Sequence, residues 1–144
     1  MKYNLNETIL LEDILKAKGF KCTKHRSAVF NVIKENSTAI SADDIYFKLK
    51  EKGISISPSS IYKILDTLSD CDILHKYFSI DNNKTLYQLN SVTHKHQLIC
   101  RNCKKCFPLS TCPLAAMNTE IENSLNFHIT NHIIEIYGYC SDCK

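Results

Sequence analysis

Two C-x-x-C knuckles constrain this chain more than any other feature: Cys100-Arg-Asn-Cys103 and Cys140-Ser-Asp-Cys143. Each knuckle places two thiolates on one short turn, which suits two corners of a tetrahedron, and two knuckles close a four-sulfur zinc site. A closed site leaves no open coordination position, so the expected ion is structural and its binding contributes folding free energy directly. It would close the loop over residues 104–139. Cys103-Lys-Lys-Cys106 is also a C-x-x-C, so Cys106 in place of Cys100 stays open at this point. Two disulfides or unrelated thiols are the competing readings. A thioredoxin-like pair needs a strand-to-helix turn of a βαβ unit, which nothing here offers. No run of 18 apolar residues occurs, and acids interrupt the apolar stretch of the first twenty residues. The expectation is therefore a cytoplasmic chain with no membrane contact, where cysteines serve as ligands and free thiols.

The cysteines are unevenly placed. Of eight, only Cys22 and Cys71 precede residue 94, and four of the six histidines (His94, His96, His128, His132) lie from that residue onward. In a chain of 144 residues this shift predicts two units, 1–90 and 91–144, joined near residues 91–93. The hydrophobic fraction of 44% supports a real core, and three Gly with three Pro favour helices over a turn-rich sandwich. The formal net charge of +3 excludes a highly charged disordered chain.

The first unit reads as helices followed by a hairpin. Asn6 can cap a helix burying Ile9, Leu10, Ile14 and Leu15 and stopping at Gly19. Thr23 can cap a second, with Ala28, Val29, Val32 and Ile33 as its stripe. Ser41 and Asp44 resemble a capping box for a third, through Leu49 to Gly53. Ser57 and Pro58 open the fourth, in which Ile61, Ile64, Leu65 and Leu68 fall on one face. Ile73–Ser79 and Thr85–Leu89 read as strands around the turn Asp81-Asn82-Asn83. This order is that of a winged helix-turn-helix. In the second unit, His96–Cys100 reads as a strand, Pro113–Leu125 as a helix, and Ile129 and Ile133–Tyr137 as strand-like. An α/β unit this small needs a metal or a partner chain.

If residues 94–96 are extended, His94 and His96 project from one face, a half-site for a late first-row metal that Cys112 and His132 could complete. Ordinary surface histidines are the competing reading. Between Asp13 and Glu35 there is no acid, while Lys16, Lys18, Lys21, Lys24, Arg26 and Lys34 fall in that gap. Such a local positive stretch is the footprint of nucleic-acid binding. The fourth helix adds Ser59, Ser60, Tyr62, Lys63 and Thr67 opposite its apolar stripe, suited to phosphates and base edges in a major groove. No H-x-E or H-E-x-x-H occurs, so a zinc enzyme such as a deaminase is only a distant alternative.

GFKCTKHRSAVFNVI, ISADDIYFKL, PSSIYKILDTL, HKHQLICRNC and NHIIEIYGYCSDC, in that order, resemble the ferric uptake regulator family of metal-dependent bacterial repressors. The resemblance covers nearly the whole chain. It implies an α+β fold, with an N-terminal winged helix-turn-helix (1–90) followed by a small α/β dimerisation domain with a structural zinc site (91–144). It places structural zinc on Cys100, Cys103, Cys140 and Cys143, and a regulatory metal on His94, His96 and His132, joined by Cys112 as in zinc-sensing members. DNA contacts are expected from Lys24, Arg26, Ser59, Ser60, Tyr62 and Lys63. The implied function is a homodimeric, zinc-responsive repressor of metal-homeostasis genes. It would bind a pseudo-palindromic operator in double-stranded DNA and no small molecule other than a metal ion. An iron- or peroxide-responsive regulator of the same family is the alternative. Lys95 and Gln97 interrupt the family's denser histidine run, and Thr38 and Ala39 stand where iron and peroxide sensors often place a His. The first of these departures argues against a second sensory site of the kind some members build from that histidine run.

Overall fold

The computed structural model describes residues 11–90, 96–130 and 132–144, which divide between two compact units, Met1–Thr93 and His94–Lys144. Among the described residues no helix is long and apolar enough to cross a membrane. Asn6, Ile9 and Leu10 lie outside the described residues, as does His94.

Four helices and a three-stranded sheet build the first unit: α1 (Leu11–Ala17), α2 (Lys24–Glu35), β1 (Ile40–Ser41), α3 (Ala42–Glu51), α4 (Pro58–Asp70), β2 (Leu74–Ser79) and β3 (Lys84–Leu89). The helix starts follow the capping residues. Thr23, Ser41 and Ser57 each accept a hydrogen bond from the backbone N–H three residues on. Such a cap satisfies one donor that the helix itself cannot. The box at α3 differs from its usual form. The short Asp44 carboxylate takes the Ser41 hydroxyl at 2.6 Å, whereas a Glu would reach back to the cap's backbone N–H.

Three helices stop in one way. Phe20 N–H returns to Leu15 O at 2.8 Å, Ile54 N–H to Leu49 O at 2.9 Å and Ile73 N–H to Leu68 O at 2.9 Å. The turning residues are Gly19, Gly53 and Asp72, with φ of 80°, 73° and 58°. A left-handed residue is what this closure needs, and Asp tolerates it less readily than Gly.

Ile14, Leu15, Val29, Val32, Ile33, Ile45, Leu49, Ile61, Leu65 and Leu68 meet in one buried core. The sheet runs β1-β3-β2, antiparallel throughout, with Leu74 opposite Leu89 and Ser79 opposite Lys84. The two-residue β1 was not foreseen from the sequence. Ser41 belongs to it, facing Leu86, and also caps α3.

The second unit comprises β4 (His96–Cys100), β5 (Cys106–Leu109), α5 (Ala115–Leu125) and β6 (Glu135–Gly138), with sheet order β5-β4-β6. β4 is antiparallel to β5 and parallel to β6. β5, also unforeseen, carries Pro108 at an edge, where the missing donor is tolerated. Helix α5 starts two residues later than expected, at a Leu114 that offers no side-chain cap, and ends on Asn126 at φ 49°. Ile129 is not in a strand, because its backbone N–H donates to Glu122 Oε1 at 2.8 Å instead of a neighbouring strand. The fold is thus α+β, as expected.

Candidate metal centres and nucleic-acid face

The knuckles are brought together by the β4–β6 pairing. Cys100 ends β4, and Cys140 lies two residues beyond β6, whose Gly138 is opposite Cys100. The first knuckle turns through Lys104 at φ 60°, whose N–H bonds Cys100 O at 2.9 Å, and in the second Cys143 N–H bonds Cys140 O at 2.9 Å. The four Sγ atoms of Cys100, Cys103, Cys140 and Cys143 lie within 4.8 Å of one another. Cys103 Sγ and Cys140 Sγ are 3.7 Å apart. A tetrahedron with Zn–S bonds of about 2.3 Å has edges of about 3.8 Å, so the donor set fits that ion.

Backbone N–H groups of Cys140 and Cys103 pull the Cys100 thiol down to about 6, while burial pushes Cys140 up. Cys106 stays out of the cluster. It opens β5, with its Sγ 3.8 Å from Lys104 O. Among the described residues the four thiols that lie together include Cys100 and not Cys106.

A second donor cluster forms from His96, Cys112 and His132, whose ligand atoms also lie within 4.8 Å of one another. His96 is 3% exposed at the start of β4. Its ring stacks on that of His132 at 4.9 Å between centroids, with the two Nε2 atoms 3.2 Å apart. Cys112 Sγ is 3.1 Å from His132 Nε2. Zn–N bonds of about 2.0 Å give a tetrahedral N–N edge of about 3.3 Å, close to that spacing. Burial, and then the neighbouring His132, push His96 below its ordinary value, which favours the neutral imidazole, the form that ligates metals.

His132 Nδ1 faces the Asn118 side-chain amide at 3.2 Å, a contact that nothing in the sequence spacing announced. Gln97 donates to Glu135 Oε1 at 3.1 Å, and Tyr137 donates its hydroxyl to the other oxygen of that carboxylate. His128 is exposed beside Glu122, and His75 lies on β2 stacked on Tyr77.

On α4, Ser59 and Ser60 are drawn into the cap, their hydroxyls 3.1 and 2.8 Å from Ser57 Oγ. Tyr62 is 48% exposed and Lys63 is exposed beside it. Lys24 is exposed at the first position of α2. Arg26 is partly committed elsewhere: its guanidinium donates to Lys21 O at 2.5 Å and sits 5.5 Å from the Phe20 ring centre.

Residues 17–137 match the sequence profile of the ferric uptake regulator family. The chain belongs to that family. As a ferric uptake regulator family member it is a metal-dependent transcription regulator. It is 27% identical over 146 residues to the ferric uptake regulation protein of Campylobacter upsaliensis, covering 98% of this chain and 93% of that one. With the ferric uptake regulation protein of Escherichia coli strain K12 it shares 29% over 133 residues, covering 90% and 89%. The crystal structure of the Vibrio cholerae ferric uptake regulator superposes with a TM-score of 0.71 at 28% identity, covering 88% of this chain and 96% of that one.

Proposed function

We propose that this ferric uptake regulator family member is a zinc-responsive, homodimeric repressor acting in the cytoplasm on metal-homeostasis genes. Residues 1–90 form its winged-helix DNA-binding domain and residues 91–144 its metal-binding dimerisation domain. Cys100, Cys103, Cys140 and Cys143 hold a structural zinc. His94, His96, Cys112 and His132 hold the regulatory ion, and Lys24, Arg26, Ser59, Ser60, Tyr62 and Lys63 contact a pseudo-palindromic operator in double-stranded DNA.

The observation that carries this reading is the convergence of His96, Cys112 and His132. One thiolate with imidazoles is a soft, compact set that suits tetrahedral Zn²⁺, whereas Fe²⁺ and Mn²⁺ favour carboxylates and more ligands. Exposed Phe107, Ile133, Ile136 and Tyr139 support a second copy covering the second unit. By linkage, metal and operator affinities rise by the same factor.

A DNA-shift titration against zinc tests the proposal, and equal operator affinity with and without zinc removes it. Iron responsiveness is the second reading, favoured by the names of the relatives. Tighter operator binding with Fe²⁺ than with Zn²⁺ at matched free concentration would establish it instead.

A further inference from the structure

The contact between Asn118 and His132 has a chemical consequence. A neutral imidazole carries one proton, on Nδ1 or on Nε2. His96 Nε2 and Cys112 Sγ both converge on His132 Nε2, at 3.2 and 3.1 Å, so Nε2 is the atom turned toward the candidate ion. Ligation there requires the proton on Nδ1, and ligating histidines hold that tautomer by donating Nδ1–H to an acceptor. The group at Nδ1 is the Asn118 amide, 3.2 Å away.

We propose that Asn118 is a positioning residue for the regulatory metal, setting the tautomer of His132 through the orientation of its amide. The proposal rests on the reading of His96, Cys112 and His132 as a metal site. In the arrangement seen, Nδ2 faces Nδ1. Nδ2–H then donates to Nδ1, and the ring proton sits on Nε2, where it blocks ligation. A half-turn of the amide brings Oδ1 to the same place. Nδ1–H then donates to Oδ1 and the Nε2 lone pair is open. The two orientations have the same shape, so the change needs no repacking.

Placement on α5 gives the amide a wider role. No side chain of α5 is buried. Asn118 and Glu122, four residues apart and so on one face, tie the helix to His132 and to the backbone of Ile129. The amide therefore joins the donor cluster to a helix that is otherwise loosely held.

The test is zinc titration of the full-length protein at pH 8 with a competing chromophoric chelator, on wild type, Asn118→Leu and Asn118→Asp. Imidazole ¹⁵N spectra of His132 are recorded alongside. Leu removes the acceptor, and Asp is an acceptor only. The second zinc equivalent should bind about 10–100-fold more weakly in Asn118→Leu. Asn118→Asp should bind at least as tightly as wild type, with His132 already in its Nδ1–H form before zinc is added. Retention of the first equivalent shows that each variant is folded. Equal affinity in Asn118→Leu and wild type overturns the positioning role alone, as does equal weakening in both variants. A wild type that takes up only one equivalent overturns the metal-site reading and the positioning role with it.

Discussion

Cys143→Ser removes one corner of the four-thiol cluster, and its cost can be worked from the second unit's own contacts. The described hydrophobic side chains buried there are Ile99 and Cys100, against an extensive cluster in the first unit. Burying an Ile is worth about 2–3 kcal/mol, so the unit has little with which to offset the entropy of ordering its backbone. The knuckles join Cys103 to Cys140, 37 residues apart. By the loop-closure relation used for disulfides, a crosslink of that span removes about 4 kcal/mol of unfolded-chain entropy. The whole effect of a structural zinc, closure included, is larger: apparent binding free energies of about 10–16 kcal/mol are typical of zinc-finger peptides at neutral pH.

The second unit should therefore unfold when the cluster fails, while the first stays folded. Hydrogen exchange of the full-length protein is the assay. In Cys143→Ser, or in wild type stripped by a strong chelator, amides of β4, β5 and β6 should lose protection. Those of α2, α3 and α4 should keep theirs. Undiminished protection across β4–β6 in the stripped protein would refute the reasoning, because it would mean that the unit's packing suffices without the crosslink.

Replacing Leu65, fully buried in α4, by Ala should destabilise the first unit by about 2–5 kcal/mol, read from its urea midpoint. Lys63→Ala should weaken binding to all DNA sequences alike and flatten the plot of log affinity against log salt by about one unit of slope. Burial holds His75 below its ordinary value of 6.5, so the unfolded chain binds the extra proton. Stability of the first unit should be complete above about pH 6.5 and fall as pH drops through it, and the drop should shrink in His75→Gln.

Where the signals are local, the sequence revealed the structure well. Ser57-Pro58 with apolar residues at 61, 64, 65 and 68 marks α4 because cap, imposed φ and burial face all act within one helix. The thiol cluster was equally legible, since two short knuckles need only be brought together. What escaped depends on distant partners. β1 is a strand only because β3 lies beside it, and β5 contains a Pro that marks it as unpaired until its edge position is known. Ile129 has a strand-forming side chain, yet its N–H is taken by a carboxylate seven residues earlier. Asn118 is a poor helix former with no motif around it, and only the approach of His132 gives it a role.

The parallel pairing of β4 with β6 also governs timing during synthesis. Helices and a tight hairpin can form on the ribosome soon after their residues emerge. A central strand flanked on one side by a late parallel neighbour must wait until the last knuckle has been translated. The second unit's sheet is thus a late, non-local step of folding, completed only when the two ends of that unit meet.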